Sequence, residues 1–410
     1  MSRAILCFAD VRFPLERANG IQTMETCAAL ARRGYRVRLL VRPDTAVPAR
    51  DPFEYFGVAP MAGLSIERVR VGGPPAVRRA AALAQALGKG LAAGRDDVVL
   101  TRDLGFASLY LRARPRGAAA LVYESHGFAP TVSEERPAML TGAASASAAK
   151  QQRLFQREAF VWRAADGYAT ITRGLIAELE ERFGTRPGSA VVPDGARLDV
   201  AGDGEWSFPE AGTAPVIGYS GHLYPWKGVD RLVEALADLP GVRGLIVGGH
   251  PSEPDAASLR GQVHRLGLAP RVVFTGMVRP PDVARHLAAA DVLVLPNPRT
   301  AVSARYTSPL KLFEYLAMGR PIVASDLPAF REVLTDGRDA ILVEPGSAQA
   351  IADAIRAILA DRRLAISLAK CARETALDYS WDRRAGRLEA LIEDACAGRR
   401  IEAPRRTREG

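Results

Sequence analysis

Cysteine, lysine and long apolar runs are all in short supply in this chain of 410 residues. The four cysteines, Cys7, Cys27, Cys371 and Cys396, lie far apart, and none stands in a C-x-x-C pair. That spacing offers neither a disulfide framework nor a zinc site, and small buried hydrophobes in a reducing compartment are expected. No apolar run reaches the roughly 20 residues that span a bilayer. The opening MSRAILCFAD lacks the apolar region and small-residue cleavage site of a secretory signal, so a cytoplasmic location is expected. The first strand-to-helix loop, ADVRFPLERANG, has no G-x-G-x-x-G, which disfavours a nicotinamide dehydrogenase.

What is abundant is arginine. The net charge is +9, and it is uneven: residues 1–196 hold 27 Lys/Arg against 19 Asp/Glu, the remainder 28 against 27. No run of interleaved aromatics accompanies the basic half, so nucleic acid is not an expected partner. An anionic acceptor or a peripheral contact with an anionic membrane would use that charge, and Arg78, Arg79 and Lys89 in an Ala-rich helical stretch are the candidates. A plain solvated basic face accounts for it equally well.

A length of 410 residues calls for two domains. Short apolar runs alternate with helical stretches nearly throughout, the pattern of β-α-β units in parallel sheets covered on both faces. Strands are expected at 4–10, 36–42, 97–102, 120–126, 167–172 and 190–193, then again at 215–221, 244–249, 271–276, 291–297 and 321–326. The Gly-rich stretch 194–214 joins the two sets. The expected fold is therefore α/β, two Rossmann-like doubly wound domains, residues 1–196 and 197–380, facing a cleft between them. A C-terminal helix, 381–396, is expected to pack back on the first domain, and 397–410 reads as a basic tail.

Residues 306–334, YTSPLKLFEYLAMGRPIVASDLPAFREVL, carry the most chemistry. Ser308 is expected to cap a helix whose first residue is Pro309, leaving backbone amides free to face an anion. Lys311 and Glu314 then fall one turn apart on one face. A cation with amide donors suits a diphosphate, and a carboxylate suits two vicinal hydroxyls such as a ribose presents. An ordinary surface salt bridge is the bland alternative. A second loop, SGHLYPWKGVDRL at 220–232, places Lys227 before Gly228. The chain has five lysines, at 89, 150, 227, 311 and 370, against fifty arginines, and two of the five sit in these loops. A compact ammonium for a phosphate is the reason to keep lysine there. His264 and His286 lie in polar helical stretches and read as surface residues, whereas His250 after VGG and Asp194-Gly195 are weaker ligand candidates.

These segments occur with ANGIQTMETCAALARRGYRV (18–37), YESHGF (123–128), VVPDGARLD (191–199), FTGMV (274–278) and DYSWDRRA in an order and spacing that resembles glycosyltransferase family four, a retaining GT-B family. The resemblance implies roles for matching positions. Lys227 would bind the donor diphosphate with Gly221, His222 and the backbone near Ser308 and Leu310, and Lys311 would add a second cation. Glu314 would hold the ribose, Gly276 and Val278 would flank the base, Gly20 would lie beside the donor phosphates and acceptor, and His126 would face the reacting sugar. Lys227, His126 and Glu314 are the residues on which catalysis would rest.

The reaction so implied moves a hexose from a nucleotide diphosphate sugar to a glycan, lipid-linked or small-molecule acceptor with retention and without a metal. In keeping with this, no Asp-x-Asp occurs to hold a divalent cation against the diphosphate. Two positions depart from the family: Tyr306 stands where many members have Glu, and His222 where many have Arg. An epimerase on the same scaffold, or a silent nucleotide-sugar-binding subunit, are the alternatives.

Overall fold

The alternating runs close into two separate parallel sheets in the computed structural model of the chain, which describes residues 3–140, 144–199, 208, 213–250 and 253–402. The chain divides into two compact units, the first built from Met1–Pro130, Ala148–Pro193 and Trp381–Gly410, the second from Thr131–Ser147 and Asp194–Ser380.

The first unit holds a seven-stranded sheet in the order β3-β2-β1-β4-β5-β6-β7. Its strands are β1 (Ala4–Arg12), β2 (Arg36–Arg42), β3 (Leu64–Arg68), β4 (Val98–Thr101), β5 (Ala120–Ser125), β6 (Gly167–Thr170) and β7 (Ser189–Val191). Every residue of β4, β5 and β6 is buried, because helices cover both faces of a parallel sheet. Two edges were illegible from hydrophobic runs. β3, LSIER, spends two of its five residues on charge, and Glu67 pairs with Arg38 of the neighbouring strand at 2.7 Å.

The second unit holds a six-stranded sheet, β10-β9-β8-β11-β12-β13. Its strands are β8 (Val216–Ser220), β9 (Arg243–Val247), β10 (Val272–Gly276), β11 (Val292–Leu295), β12 (Ile322–Ser325) and β13 (Ile341–Val343). The three-residue β13 is the other edge that periodicity missed.

Three boundaries differ from expectation. The first unit ends at Pro193, three residues before the expected boundary, because Ala196 donates its amide to the Tyr379 carbonyl at 2.9 Å and bridges Ser380 within the second unit. Residues 131–147, expected in the first domain, group with the second: the Glu135 carboxylate accepts from the amides of Ala301 and Val302 at 2.8 and 3.0 Å. The last helix runs Trp381–Glu402, past the expected end at 396, because nothing in AGRRIE stops a helix and only one glycine weakens it. Residues 403–410 of the expected tail, and most of the linker 194–214, lie outside the described residues.

Candidate functional site

In the second unit the strand order reverses between β8 and β11, where a doubly wound sheet opens a crevice at the carboxyl ends of its strands. The loop leaving β8 turns at Gly221, whose φ of 121° only glycine adopts without strain. A Cβ there would also stand 3.0 Å from the Lys311 Nζ, so loop and lysine are packed together. The loop ends in a single 3-10 turn, Pro225–Lys227, with the Lys227 Nζ over the Trp226 ring, 3.4 Å from its centroid.

Lys311 sits in the first turn of the helix Leu310–Met318, buried, its Nζ 3.7 Å from the centroid of the Tyr219 ring. Tyr315, one turn on, fixes this helix to β8: its hydroxyl accepts from the Ser220 amide at 2.7 Å. Pro309, not Ser308, is the residue preceding the helix, and no side chain caps it. The reason is that the Ser308 hydroxyl accepts instead from the Asp194 amide at 3.1 Å, while Pro309 takes an extended backbone. The open helix start therefore presents its amides beside two lysines.

Both lysines are held against their preference for charge. Burial lowers the Lys227 ammonium to about 7. Burial pushes Lys311 well down, the charge of Lys227 pushes it further, and Glu314 alone opposes. Two buried donors, Lys311 Nζ and Trp226 Nε1, have no acceptor among the described residues. Two neighbouring cations, one of them buried and without an acceptor among the described residues, have the chemistry to take an anion.

The other expected residues of this unit fall around that centre. His222 gives one ring nitrogen, Nδ1, to Glu253, stacks at 8° on Tyr224, and accepts from the Tyr219 hydroxyl through its carbonyl at 2.7 Å. Gly276 ends β10 and bridges Gly248, whose neighbour Gly249 donates to the Gly221 carbonyl at 3.1 Å, so the ends of β8, β9 and β10 are linked. Val278 follows, packed on the core. Tyr306 is buried at the end of the helix Ala301–Arg305. Glu314 lies half-buried one turn beyond Lys311. Contrary to expectation, His286 is buried, its Nδ1 2.8 Å from the Asp282 carbonyl; His264 is exposed.

Gly20 and His126 belong to the first unit. Gly20 lies in the helix Ala18–Arg32, where a Cβ would come within 2.2 Å of the Leu15 carbonyl oxygen, so only glycine allows that approach. His126 follows β5. Its Nε2 meets Glu124, a buried carboxylate that also accepts from Gln22 Nε2 at 2.6 Å and from Arg384 Nη2 at 2.6 Å. Although burial opposes it, the guanidinium of Arg384 and the hydrogen bond from His126 hold the Glu124 carboxyl well below the usual carboxylate range. Burial lowers His126 to about 4, helped by the charge of Arg102. Beside this cluster, at the β1/β4 reversal, a cavity of about 190 Å³ is lined by Asp10, Asn19, Gln22, Thr26, Arg102 and Glu124 among others.

Sequence reasoning overlooked Arg384, Gln22, Glu253 and Arg102. Arg384 had a signal: it shares the helical stripe of Leu388, Leu391 and Ala395, an apolar face where a charge has no business unless paired. Of the expected membrane-facing cations, Arg79 pairs with Asp10 and with Asp103 at 3.0 Å, and Lys89 with Glu67 at 2.8 Å. Among the described residues no helix is long and apolar enough to cross a membrane, and no three His, Cys, Asp or Glu are placed to hold a metal ion.

Residues 20–195 match the family described as "Glycosyl transferase 4-like domain", and residues 214–361 match "Glycosyl transferases group 1". Among curated proteins, the D-inositol 3-phosphate glycosyltransferase of Corynebacterium glutamicum is 28% identical over 255 residues, 58% of this chain and 59% of that protein. The GDP-mannose-dependent alpha-(1-6)-phosphatidylinositol monomannoside mannosyltransferase of Mycolicibacterium smegmatis is 33% identical over 188 residues, 44% of this chain and 48% of that one. The chain thus spans about half the length of the curated relatives it matches. Among solved structures, sucrose-phosphate synthase of Thermosynechococcus elongatus superposes with a TM-score of 0.76 at 21% identity, over 97% of this chain and 100% of its own. Anabaena HepE in complex with UDP and glucose superposes at 0.69 and 18% identity, over 95% and 99%. With the two family matches together taking in most of the sequence, the chain belongs to the group 1 glycosyltransferases of family four, with the GT-B fold.

Proposed function

We propose that the chain is a retaining, metal-independent hexosyltransferase that uses a nucleotide diphosphate sugar and passes the hexose to a glycan, lipid-linked or small-molecule acceptor hydroxyl. The observation that carries this reading is the pair of neighbouring lysines, Lys227 and Lys311, both lowered by burial and the latter without an acceptor among the described residues, at the uncapped start of the Leu310–Met318 helix. Two ammonium groups and helix amides suit a diphosphate, and they suit it better as charge builds on the leaving oxygen. HepE binding UDP, and a relative named for GDP-mannose, support a uridine or guanosine donor.

In the proposed reaction the bond from the anomeric carbon to the diphosphate breaks, and its electron pair leaves with the diphosphate. The acceptor hydroxyl attacks the same face of the sugar, and its proton passes to the departing phosphate oxygen. Lys227 and Lys311 stabilise the leaving group, Glu314 holds the ribose, and His126 faces the sugar, with Gly20 allowing close approach of donor and acceptor. The cation count does not depend on a divalent metal.

A thermal-shift screen over UDP-, GDP-, ADP- and TDP-sugars identifies the donor, since a ligand that binds only the native state raises the melting temperature. Turnover of that donor in chelator, with an α-donor giving an α-product by NMR, is the expected result. Product of inverted configuration, or activity that vanishes with chelator and returns with Mn²⁺, would overturn the reading. Conversion of the free donor sugar to its epimer would replace it with the epimerase alternative.

A further inference from the structure

The first unit contains a charged chain of contacts that the proposed reaction has not used. Arg384 is fully buried in the Trp381–Glu402 helix, and each part of its guanidinium is engaged. Nε donates to the Thr26 hydroxyl at 3.1 Å, Nη1 to the carbonyls of Val192 and Pro193 at 2.7 and 2.9 Å, and Nη2 to Glu124 Oε2 at 2.6 Å. The opposite oxygen of Glu124, Oε1, accepts from Gln22 Nε2 and meets His126 Nε2. Gln22 is itself oriented, because its carbonyl oxygen accepts from Arg102 Nη1 at 2.5 Å.

Chemistry then fixes the imidazole. A carboxylate beside a buried guanidinium stays ionised, and an ionised carboxylate can only accept. The nitrogen facing it, His126 Nε2, must therefore carry the hydrogen. Arg102 adds a repelling positive charge, and burial disfavours the imidazolium, so the ring is neutral and its Nδ1 bears a lone pair. Cys7 and Cys27 line the same cavity and are buried; the Cys27 thiol is raised well above its ordinary value, so Cys27 supplies no competing charge near neutral pH.

We propose that Arg384 is a positioning residue for His126: by holding Glu124 as a carboxylate, it locks the imidazole in the Nε2–H tautomer, leaving Nδ1 to accept from a substrate hydroxyl. The inference rests on the reading above that His126 faces the reacting sugar. Arg384 touches no substrate in this scheme; it acts through Glu124, and its own positive charge also disfavours the imidazolium. Losing the guanidinium frees Glu124 to take a proton. A protonated Glu124 can donate to His126, and the tautomer then divides.

The chain has five histidines, so long-range ¹⁵N–¹H NMR on histidine-labelled protein resolves each ring, and His126→Gln assigns the one of interest. In wild type, His126 is expected as a single neutral Nε2–H tautomer from pH 5.5 to 8. In Arg384→Gln it is expected to populate both tautomers and to titrate nearer 6.5, the ordinary histidine value. The turnover number should fall about tenfold or more, as misplacement of a reacting group does, with the KM for donor within about twofold of wild type. Arg384→Lys, which restores the charge beside Glu124, should return the single tautomer and much of the turnover.

Removing one partner of a buried ion pair can unfold a protein. Glu124→Gln is therefore the parallel variant: its amide oxygen still accepts from Arg384, while its NH₂ must donate to His126 and drive the ring to Nδ1–H. A folded Arg384→Gln or Glu124→Gln protein that keeps the single Nε2–H tautomer would overturn the proposal. A wild type that transfers no sugar but shows the tautomer change would leave the Arg384–Glu124–His126 linkage standing and refute the catalytic reading of His126.

Discussion

Lowering the pH should tighten donor binding, and the size of the effect follows from the two lysines. In the free protein, burial brings Lys227, half-buried against the Trp226 ring, to about 7, and burial and the charge of Lys227 bring the buried Lys311 well below its ordinary value. A diphosphate placed against them supplies the missing counter-charge and restores both toward the usual lysine value near 10.4. The sign is then fixed: a group whose pKa rises on binding takes up a proton, so affinity is greatest where it is already protonated. For Lys227 alone, the protonated fraction falls from about nine-tenths at pH 6 to a few per cent at pH 8.5, which weakens binding about 30-fold, or about 2 kcal/mol. Lys311 acts in the same direction and steepens the slope. A nucleotide sugar is the right probe because its doubly esterified diphosphate does not titrate in this range. Calorimetry in buffers of different ionisation enthalpy measures the protons directly. Lys227→Arg, charged at every pH, should remove its share of the slope. A dissociation constant flat from pH 6 to 8.5, with an enthalpy indifferent to buffer, would refute the account of these lysines as desolvated cations awaiting an anion.

Lys227→Ala should fold normally yet lose about 2 to 4 kcal/mol of barrier lowering, roughly two to three decades in rate, and normal turnover in steady-state assays would remove its role at the leaving group. Glu314→Gln should weaken the donor about ten- to a hundredfold, since the amide keeps one acceptor and turns the other into a donor. Wild type should strongly prefer the normal donor over its 2′,3′-dideoxyribose analogue, and an undiminished preference in Glu314→Gln would place the ribose elsewhere. Gly20→Ala should cost about 1 to 3 kcal/mol, because its Cβ would meet the Leu15 carbonyl oxygen at 2.2 Å and the helix start must shift. A wild-type melting temperature in that variant would contradict the close packing.

Most interior strands of both sheets were legible because parallel strands covered on both faces read as apolar runs, although β2 alternates in its first half, with Arg36 and Arg38 exposed. RVRLLVR was read at its full length, and the interior strands were placed to within two residues. β3 and β13 were not, because neither offers an apolar run of useful length: LSIER carries a cross-strand ion pair, and ILV spans three residues. Ser308 misled for a local reason. Its sequence context fits a helix cap, but a contact 114 residues away, to the Asp194 amide, claims its hydroxyl, and spacing along the chain carries no information on that.

Legibility at the site follows a rule of burial and charge. Lys227 and Lys311 stood out because arginine is the default cation of this chain and two of its five lysines fall in these loops, where a compact, readily desolvated charge would have a use; Lys89 instead pairs with Glu67. Arg384 has the opposite signature. Its guanidinium offers a fork of donors that can satisfy three carbonyl or hydroxyl oxygens and a carboxylate at once, which an ammonium could not do. In an arginine-rich sequence such a residue is camouflaged among DRRAGR, and only its place on the apolar stripe with Leu388 and Leu391 separates it from its solvated neighbours. The same comparison separates the buried charges by purpose. Arg384 is saturated by oxygens from its own unit, so its charge is spent on structure and on holding Glu124. Lys311 is also buried but has no acceptor among the described residues, so its charge remains available to an anion.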